Sequence, residues 1–128
     1  MYLSKEELIA KIQDIEWDDF EAKASKTQLP ADIWRSVSAF SNTSGGWILC
    51  GVAQHGKKFE IEGIENGEKI ENDFLTTIRN KDKFNHVLHC EPKKFNVDGK
   101  LVLPEAVKVL MHPISFTPGT EVPGKSSK

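Results

Sequence analysis

The sequence predicts an α+β fold in which one compact domain holds a mixed β-sheet, two main helices and a short helix near the N-terminus. Apolar residues recur at helical spacing in three stretches, and elsewhere they alternate or run together as they do in strands. The chain of 128 residues has the usual size of one domain, and 38% apolar with 28% charged residues is a globular composition. We expect the domain over residues 1–116 and a disordered tail over residues 117–128, which has nothing to bury.

A short amphipathic helix is predicted first, followed by a half-buried strand. Ser4 and Glu7 fit a capping box, and the apolar residues after them recur at helical spacing up to about residue 13. Residues 17–24 then alternate in polarity, which predicts a strand. Glu21 and Lys23 point to the same side of that strand, so we expect a carboxylate beside an ammonium at the strand surface. An ordinary surface ion pair of this kind is worth about 0–1 kcal/mol.

The second helix leads through a glycine loop into a buried strand. Pro30 suits the first turn of a helix, and the apolar stripe of that helix ends at Phe40. Asn42 is expected to take a left-handed backbone conformation at the helix end, with Gly45-Gly46 completing the turn. Residues 47–52 are apolar apart from glycine, so we expect this strand to be central in its sheet.

The second half of the chain predicts a hairpin, a long helix and three further strands. Residues 54–58 are typical of a turn, and the apolar residues up to Ile64 alternate as the second arm of a hairpin. Helical spacing predicts a helix from residue 66 or 67 to about residue 80. The remaining strands are predicted over residues 84–91, 94–97 and 101–110, with Asp98-Gly99 as a turn and Pro104 interrupting the last strand.

Charge and composition restrict the functional classes. A formal net charge of −2 argues against nucleic-acid binding driven by overall charge, although small basic groups could still form a local basic face. No apolar run approaches the roughly 20 residues that span a bilayer, and the acidic N-terminus does not resemble a signal peptide. We therefore expect a cytoplasmic protein without a membrane partner, in which Cys50 and Cys90 are reduced.

Several common sites are not supported by the sequence. The phosphate-binding motif Gly-x-x-x-x-Gly-Lys-Ser/Thr is missing from it. His86, His89, Cys90 and His112 are potential metal ligands, but residues 86 and 89 of one strand point to opposite faces. We therefore predict no metal site there. Nothing beyond the presence of serine, histidine and aspartate suggests a catalytic triad.

Four short segments follow one another in a characteristic order: Glu21-Ala22-Lys23, then Leu29-Pro30-Ala31-Asp32-Ile33, then Ser38-Ala39-Phe40-Ser41-Asn42-Thr43-Ser44-Gly45-Gly46, then Gly51-Val52. Together they resemble the Schlafen-type AlbA-like domain. Its pattern is a Glu-Phe-Lys strand, an Ala-Phe-Ala-Asn-Thr-x-Gly-Gly segment, an apolar strand, and Gly-Val before an acidic turn. The resemblance spans about residues 16–64, and residues 66–80 fit the helix that follows in the family.

The resemblance implies a DNA-binding domain of the kind found in bacterial and archaeal transcriptional regulators. In that interpretation Lys23 lies beside the Gly-Gly loop and neutralises phosphate, side chains of the loop donate hydrogen bonds, and the glycine amides approach the nucleic-acid backbone. The nucleic-acid-binding residues expected on this basis are Lys23, Lys26, Asn42, Thr43, Gly45, Gly46, Lys57 and Lys58. DNA and RNA both remain open as the partner, as does a homodimer.

Two alternatives stay open. Animal Schlafen proteins cleave tRNA and rRNA with three carboxylates, and Glu16 and Glu21 keep the spacing of the first two. Ala53-Gln54 stands where the third carboxylate would be, so we lean against an enzyme; Mg²⁺ or Mn²⁺ would be needed only in that case, and no cofactor is expected otherwise. The other alternative is a protein-interaction or oligomerisation module.

Overall fold

The structure is a computed structural model that describes residues 3–13, 19–80, 82–85, 88 and 90–108. It confirms the α+β class, with three helices and a mixed sheet. The described elements in chain order are α1 (Lys5–Ile12), β1 (Phe20–Lys23), α2 (Ile33–Asn42), β2 (Gly46–Cys50), β3 (Val52–His55), β4 (Lys58–Ile61), α3 (Gly67–Ile78), β5 (Cys90–Pro92), β6 (Phe95–Val97) and β7 (Lys100–Val107).

The main sheet is built around β2 and β7. β1 pairs with β2 in parallel and α2 connects them, whereas β7 runs antiparallel to β2. β5 and β6 pair with β7 in one continuous register, so they are two parts of a single broken arm at the sheet edge. A hairpin forms at this point of the chain, but its arms are β3 and β4 in a separate two-stranded sheet. Its turn is at residues 56–57, so the predicted turn over residues 54–58, with residues 47–52 as the first arm, is wrong.

Both faces of the main sheet are covered. On one face, residues of α2 and α3 such as Trp34 and Phe74 pack against Ile48 of β2. On the other face, α1 and the β3–β4 hairpin cover Trp47 and Leu49 of the same strand. The prediction of a central β2 is therefore confirmed, and its continuous apolar sequence follows from burial on both sides.

Local capping and turn predictions are confirmed. Ser4 and Glu7 exchange hydrogen bonds as a capping box, with distances of 3.2 Å from Ser4 N to Glu7 Oε1 and 3.1 Å from Glu7 N to Ser4 Oγ. Asn66 caps α3 by accepting a hydrogen bond from Lys69 N at 3.1 Å. Asp98 and Gly99 turn between β6 and β7 with φ of 53° and 82°. No helix in the described part of the chain is long and apolar enough to cross a membrane.

Two predictions around β2 are wrong. Asn42 ends α2 without a positive φ, and Gly45 takes the left-handed conformation instead, with φ 78°. The strand stops at Cys50, because Gly51 turns the chain with φ 97° and donates its N–H to the carbonyl of Lys23 at 3.1 Å. Residue 52 therefore begins the next strand, in the other sheet.

Pro104 does not interrupt the last strand. It lies inside β7, and its carbonyl accepts a hydrogen bond from Lys93 N at 2.8 Å. In an antiparallel pair the N–H and the C=O of one residue point to the same neighbouring strand. The N–H that Pro104 lacks would therefore face Lys93, as its carbonyl does. The bond that proline cannot make therefore falls where the edge arm is broken between β5 and β6.

Other boundaries also differ from the predictions. α2 begins at Ile33 after a turn that contains Pro30, and Phe84 makes only an isolated bridge, so no strand begins there. Parts of three predicted strands, at residues 17–18, 86–87, 89 and 109–110, lie outside the described residues, and so does the tail over residues 117–128.

Candidate functional site

Glu21 and Lys23 form the predicted ion pair, and two residues of the α2 segment complete it. Lys23 Nζ lies 2.8 Å from Glu21 Oε2 and 3.2 Å from Asp32 Oδ2. The hydroxyl of Ser36 donates to the same Glu21 Oε2 at 2.5 Å. We call Glu21, Lys23, Asp32 and Ser36 the β1–α2 cluster.

The ammonium of this cluster is buried, which corrects the expectation of a surface pair. The Lys23 side chain is 8% exposed, whereas those of Glu21 and Asp32 are 43% and 65% exposed. Phe20 and Ala22 pack into the core on one face of the sheet, as predicted, but the α2 segment covers the side that carries Glu21 and Lys23. Two carboxylates face one ammonium, so an approaching phosphate meets net negative charge and would have to displace a carboxylate to reach Lys23.

The α2 segment reaches Lys23 because its first turn is not capped in the usual way. Asp32 occupies the N-cap position but makes no side-chain hydrogen bond to the helix amides. Its carboxylate contacts Lys23 instead. Ser36 follows four residues later on the same side of the helix. The sequence-based prediction did not include Asp32 and Ser36. Their spacing of four residues places two polar side chains on one side of the helix, and this spacing could have indicated them.

Lys23 does not lie beside the Gly-Gly loop. In the parallel register Lys23 is opposite Cys50, whereas Trp47 N bonds to the carbonyl of Asp19 at 2.9 Å. Gly46 is therefore at the level of residue 19, four residues from Lys23, or about 13 Å at the usual rise of a parallel strand. The groove expected between Lys23 and the two glycines is not formed.

Both glycines of the loop are buried and have structural explanations. The N–H of Gly45 donates to the carbonyl of Phe40 at 2.8 Å and so closes the end of α2. A Cβ on Gly46 would lie 2.6 Å from the Phe40 ring and 2.8 Å from the carbonyl oxygen of Asp19. The left-handed backbone of Gly45, with φ 78°, and the close packing at Gly46 account for glycine at the two positions.

Asn42 and Thr43 are exposed at the end of α2. Thr43 Oγ1 donates to the carbonyl of Ala39 at 2.7 Å, and Asn42 Nδ2 lies 3.4 Å from Ser38 Oγ. Both side chains thus interact with their own helix. They sit at the glycine end of β1, away from the β1–α2 cluster.

Three predicted basic residues are exposed and unpaired within the described part of the chain. Lys57 is in the turn of the β3–β4 hairpin and Lys58 begins β4, while Lys26 follows β1. None of the three forms an ion pair with a described residue, although His55 and Glu60 of the hairpin pair with each other at 3.2 Å between Nε2 and Oε1. No hydrogen bond among the described residues joins Lys26 to the hairpin lysines.

The residues of the nuclease alternative are not assembled among the described residues. Glu16 lies outside them. His86, His89 and His112, which are potential metal ligands separate from this alternative, also lie outside the described residues. Ala53 is buried in β3, and Gln54 donates its side-chain amide to the carbonyl of Gly56 at 3.0 Å. The described residues contain no group of three or more histidine, cysteine or acidic side chains placed to hold a metal ion.

Comparisons with known proteins agree with this architecture. A protein-family model described as Schlafen, AlbA_2 matches residues 16–123. The chain is similar to the N-terminal domain of a RecG-related protein from Nitrosomonas europaea, with 24% identity and a TM-score of 0.70, over 93% of this chain and 83% of that chain. It is also similar to DIP2311 protein from Corynebacterium diphtheriae, with 19% identity and a TM-score of 0.50, over 86% of this chain and 23% of that chain. The two structural likenesses concern the fold.

Proposed function

Because the chain belongs to the Schlafen AlbA_2 family, we propose that it binds nucleic acid, and DNA in particular, through exposed lysines of the β3–β4 hairpin. The observation that carries this proposal is the contrast between the two hairpin lysines and Lys23. Lys57 and Lys58 are exposed and form no ion pair with a described residue, whereas Lys23 is buried between two carboxylates. The RecG-related neighbour, named for its relation to an ATP-dependent DNA helicase, is consistent with this role.

The chemistry of such an interface is phosphate neutralisation. Lysine contacts to phosphate release counterions and position a duplex without reading its sequence. Lys26 extends the same contact if a nucleic acid passes along β1, and Asn42 and Thr43 can donate hydrogen bonds at the other end of α2. Gly45, Gly46 and Lys23 are buried, so in this proposal they stabilise the fold rather than contact the nucleic acid.

The finer parts of the function belong to the same proposal. We place the protein in the cytoplasm, as a module of a transcriptional regulator, acting without a cofactor. Binding without cleavage fits Ala53-Gln54 at the position of the third nuclease carboxylate. A homodimer would double the number of hairpin lysines that face one duplex and would strengthen weak phosphate contacts by avidity.

A salt titration tests the interface. Fluorescence anisotropy with labelled duplex DNA, single-stranded DNA and RNA gives the affinity at each salt concentration. For Lys57→Gln/Lys58→Gln we expect weaker duplex binding and a slope of log K against log salt that is smaller by about 1.8, since each phosphate contact contributes about 0.9.

A matched variant separates the hairpin from overall charge. Arg79→Gln/Lys94→Gln removes the same two charges from exposed residues at the end of α3 and the opposite edge of the sheet. It also removes the ion pair between Lys94 and Glu71, which is weak because Nζ and Oε1 lie 3.9 Å apart near the surface. We expect this variant to bind nearly as the unmodified protein does. Equal losses in both variants would overturn the hairpin interface, and no binding to any probe at low salt would overturn the proposed function.

A further inference from the structure

One acidic side chain is enclosed in the core without a partner among the described residues. Glu105 lies in β7 between Leu103 and Val107, and its register partners are Ile48 on β2 and Pro92 on β5. Residues 103, 105 and 107 of a strand point to the same face, and Leu103 and Val107 belong to the core that α2 and α3 cover. Glu105 is 0% exposed, and neither of its carboxyl oxygens accepts or donates a hydrogen bond within the described part of the chain.

The groups around Glu105 do not compensate a negative charge. α3 contributes Glu71, a second acid, whose nearest cation among the described residues is Lys94 at 3.9 Å. β2 and β5 contribute the thiols of Cys50 and Cys90, which are both free. α2 contributes apolar side chains to this core, and on β1 the ammonium of Lys23 already lies between two other carboxylates.

These surroundings favour the neutral acid. Burial raises the pKa of Glu105 to about 8, and the negative charge of Glu71 acts in the same direction. Burial likewise raises the pKa of the Cys90 thiol to about 12 and that of Cys50 above its usual range, with Glu105 adding to both. While Glu105 keeps its proton, the described part of this core therefore buries no uncompensated charge.

We propose that Glu105 is a built-in pH-sensitive device: the folded protein holds it protonated at neutral pH, and its ionisation weakens the packing of α3 on the sheet. An ionised carboxylate at this position needs hydrogen bonds or a nearby cation. The described residues of the two neighbouring strands provide neither for Glu105. A surface cavity of about 360 Å³ is lined by Ile78 of α3 and by Cys90 of β5, and the Cys90 thiol interacts electrostatically with Glu105. Water that enters between α3 and the sheet past Cys90 would reach the carboxylate.

The direction of the effect follows from proton binding. The unfolded chain releases the proton of Glu105 near the ordinary glutamate pKa of 4.5, whereas in the folded protein the pKa is about 8. Between these values the folded state binds one more proton than the unfolded state, so stability falls as the pH rises. The folding equilibrium constant should decrease up to tenfold per pH unit in this window and become independent of Glu105 above it.

Urea unfolding at several pH values from 5.5 to 8.5 tests the proposal. Glu105→Gln has nearly the same shape and cannot ionise, so it should lose the fall in stability that the unmodified protein shows. The control is Glu91→Gln on the adjacent strand: Lys108 bonds to Glu91 at 3.0 Å and lowers the pKa of that carboxyl, so its ionisation is complete below this pH range. A pH profile unchanged in Glu105→Gln, or abolished in Glu91→Gln, would overturn the proposal.

A second measurement does not depend on a variant that folds. Carbon-13 labelling of glutamate allows the carboxyl signal of Glu105 to be followed by NMR during a pH titration of the unmodified protein. We expect this signal to titrate well above the ordinary glutamate pKa of 4.5. Titration near 4.5 would refute the proposal even if Glu105→Gln cannot be purified.

Discussion

Replacing Lys23 with methionine separates a structural role from a binding role for this residue. Lys23→Met keeps most of the side-chain stem and removes the ammonium that lies 2.8 Å from Glu21 Oε2 and 3.2 Å from Asp32 Oδ2. A hydrogen bond to a charged group contributes about 1.5–3 kcal/mol when buried, and an exposed ion pair contributes about 0–1 kcal/mol. The carboxylates are partly exposed and can regain water, and methionine avoids the cost of burying an ammonium. We expect a net loss of about 1–2 kcal/mol in the free energy of unfolding.

The assay is urea unfolding followed by the fluorescence of the buried Trp34 and Trp47. With a slope of about 2 kcal/mol per molar urea for a small domain, the midpoint should fall by roughly 0.5–1 M. Asp32→Asn serves as a milder variant because its carboxylate is the more exposed and makes the longer contact. It should lower the midpoint less than Lys23→Met does.

The same variant distinguishes the two roles in binding. If Lys23 contacted phosphate, Lys23→Met would weaken DNA binding and reduce the salt slope by about 0.9. We expect instead that stability falls while the salt slope stays unchanged. Weaker DNA binding with unchanged stability would refute the assignment of Lys23 to the β1–α2 cluster.

Two further outcomes are expected. Gly46→Ala should destabilise the fold by about 1–3 kcal/mol in urea unfolding, because the added methyl group meets the Phe40 ring and a backbone carbonyl; an unchanged midpoint would contradict this packing. Millimolar Mg²⁺ or Mn²⁺ should leave the melting temperature and a structured RNA unchanged, because the Lys23 ammonium already lies between the two carboxylates. A clear rise in melting temperature, or cleavage that is lost in Glu21→Ala, would show that a cation competes successfully.

Elements whose determinants are local could be predicted from the sequence. The capping box of Ser4 and Glu7 and the turn at Asp98-Gly99 depend on residues within three or four positions, and each has its expected structure. The prediction for Pro104 was wrong because its tolerance depends on a distant partner: the edge arm is broken where proline lacks its N–H. No local pattern contains that information.

The candidate site was harder to predict for the same reason. Adjacency in the family pattern suggested that Lys23 and the Gly-Gly loop share a groove, yet the parallel register sets them about 13 Å apart along β1. Lys23 instead pairs with Asp32 at the start of α2, because α2 begins at the Lys23 end of β1 and ends at the glycine end. Sequence alone identified the pair with Glu21, but it could not show that Asp32 closes the cluster.

Burial divides the charged residues of this domain into two kinds that the sequence does not distinguish. Lys23 and Glu105 are buried, so the pairing of Lys23 and the environment of Glu105 affect the stability of the fold. Lys57 and Lys58 are exposed on the hairpin, where a contact with phosphate costs little desolvation and leaves no buried group unpaired. A small net negative charge is therefore compatible with nucleic-acid binding, since a ligand experiences the local charge of the hairpin rather than the sum over the chain.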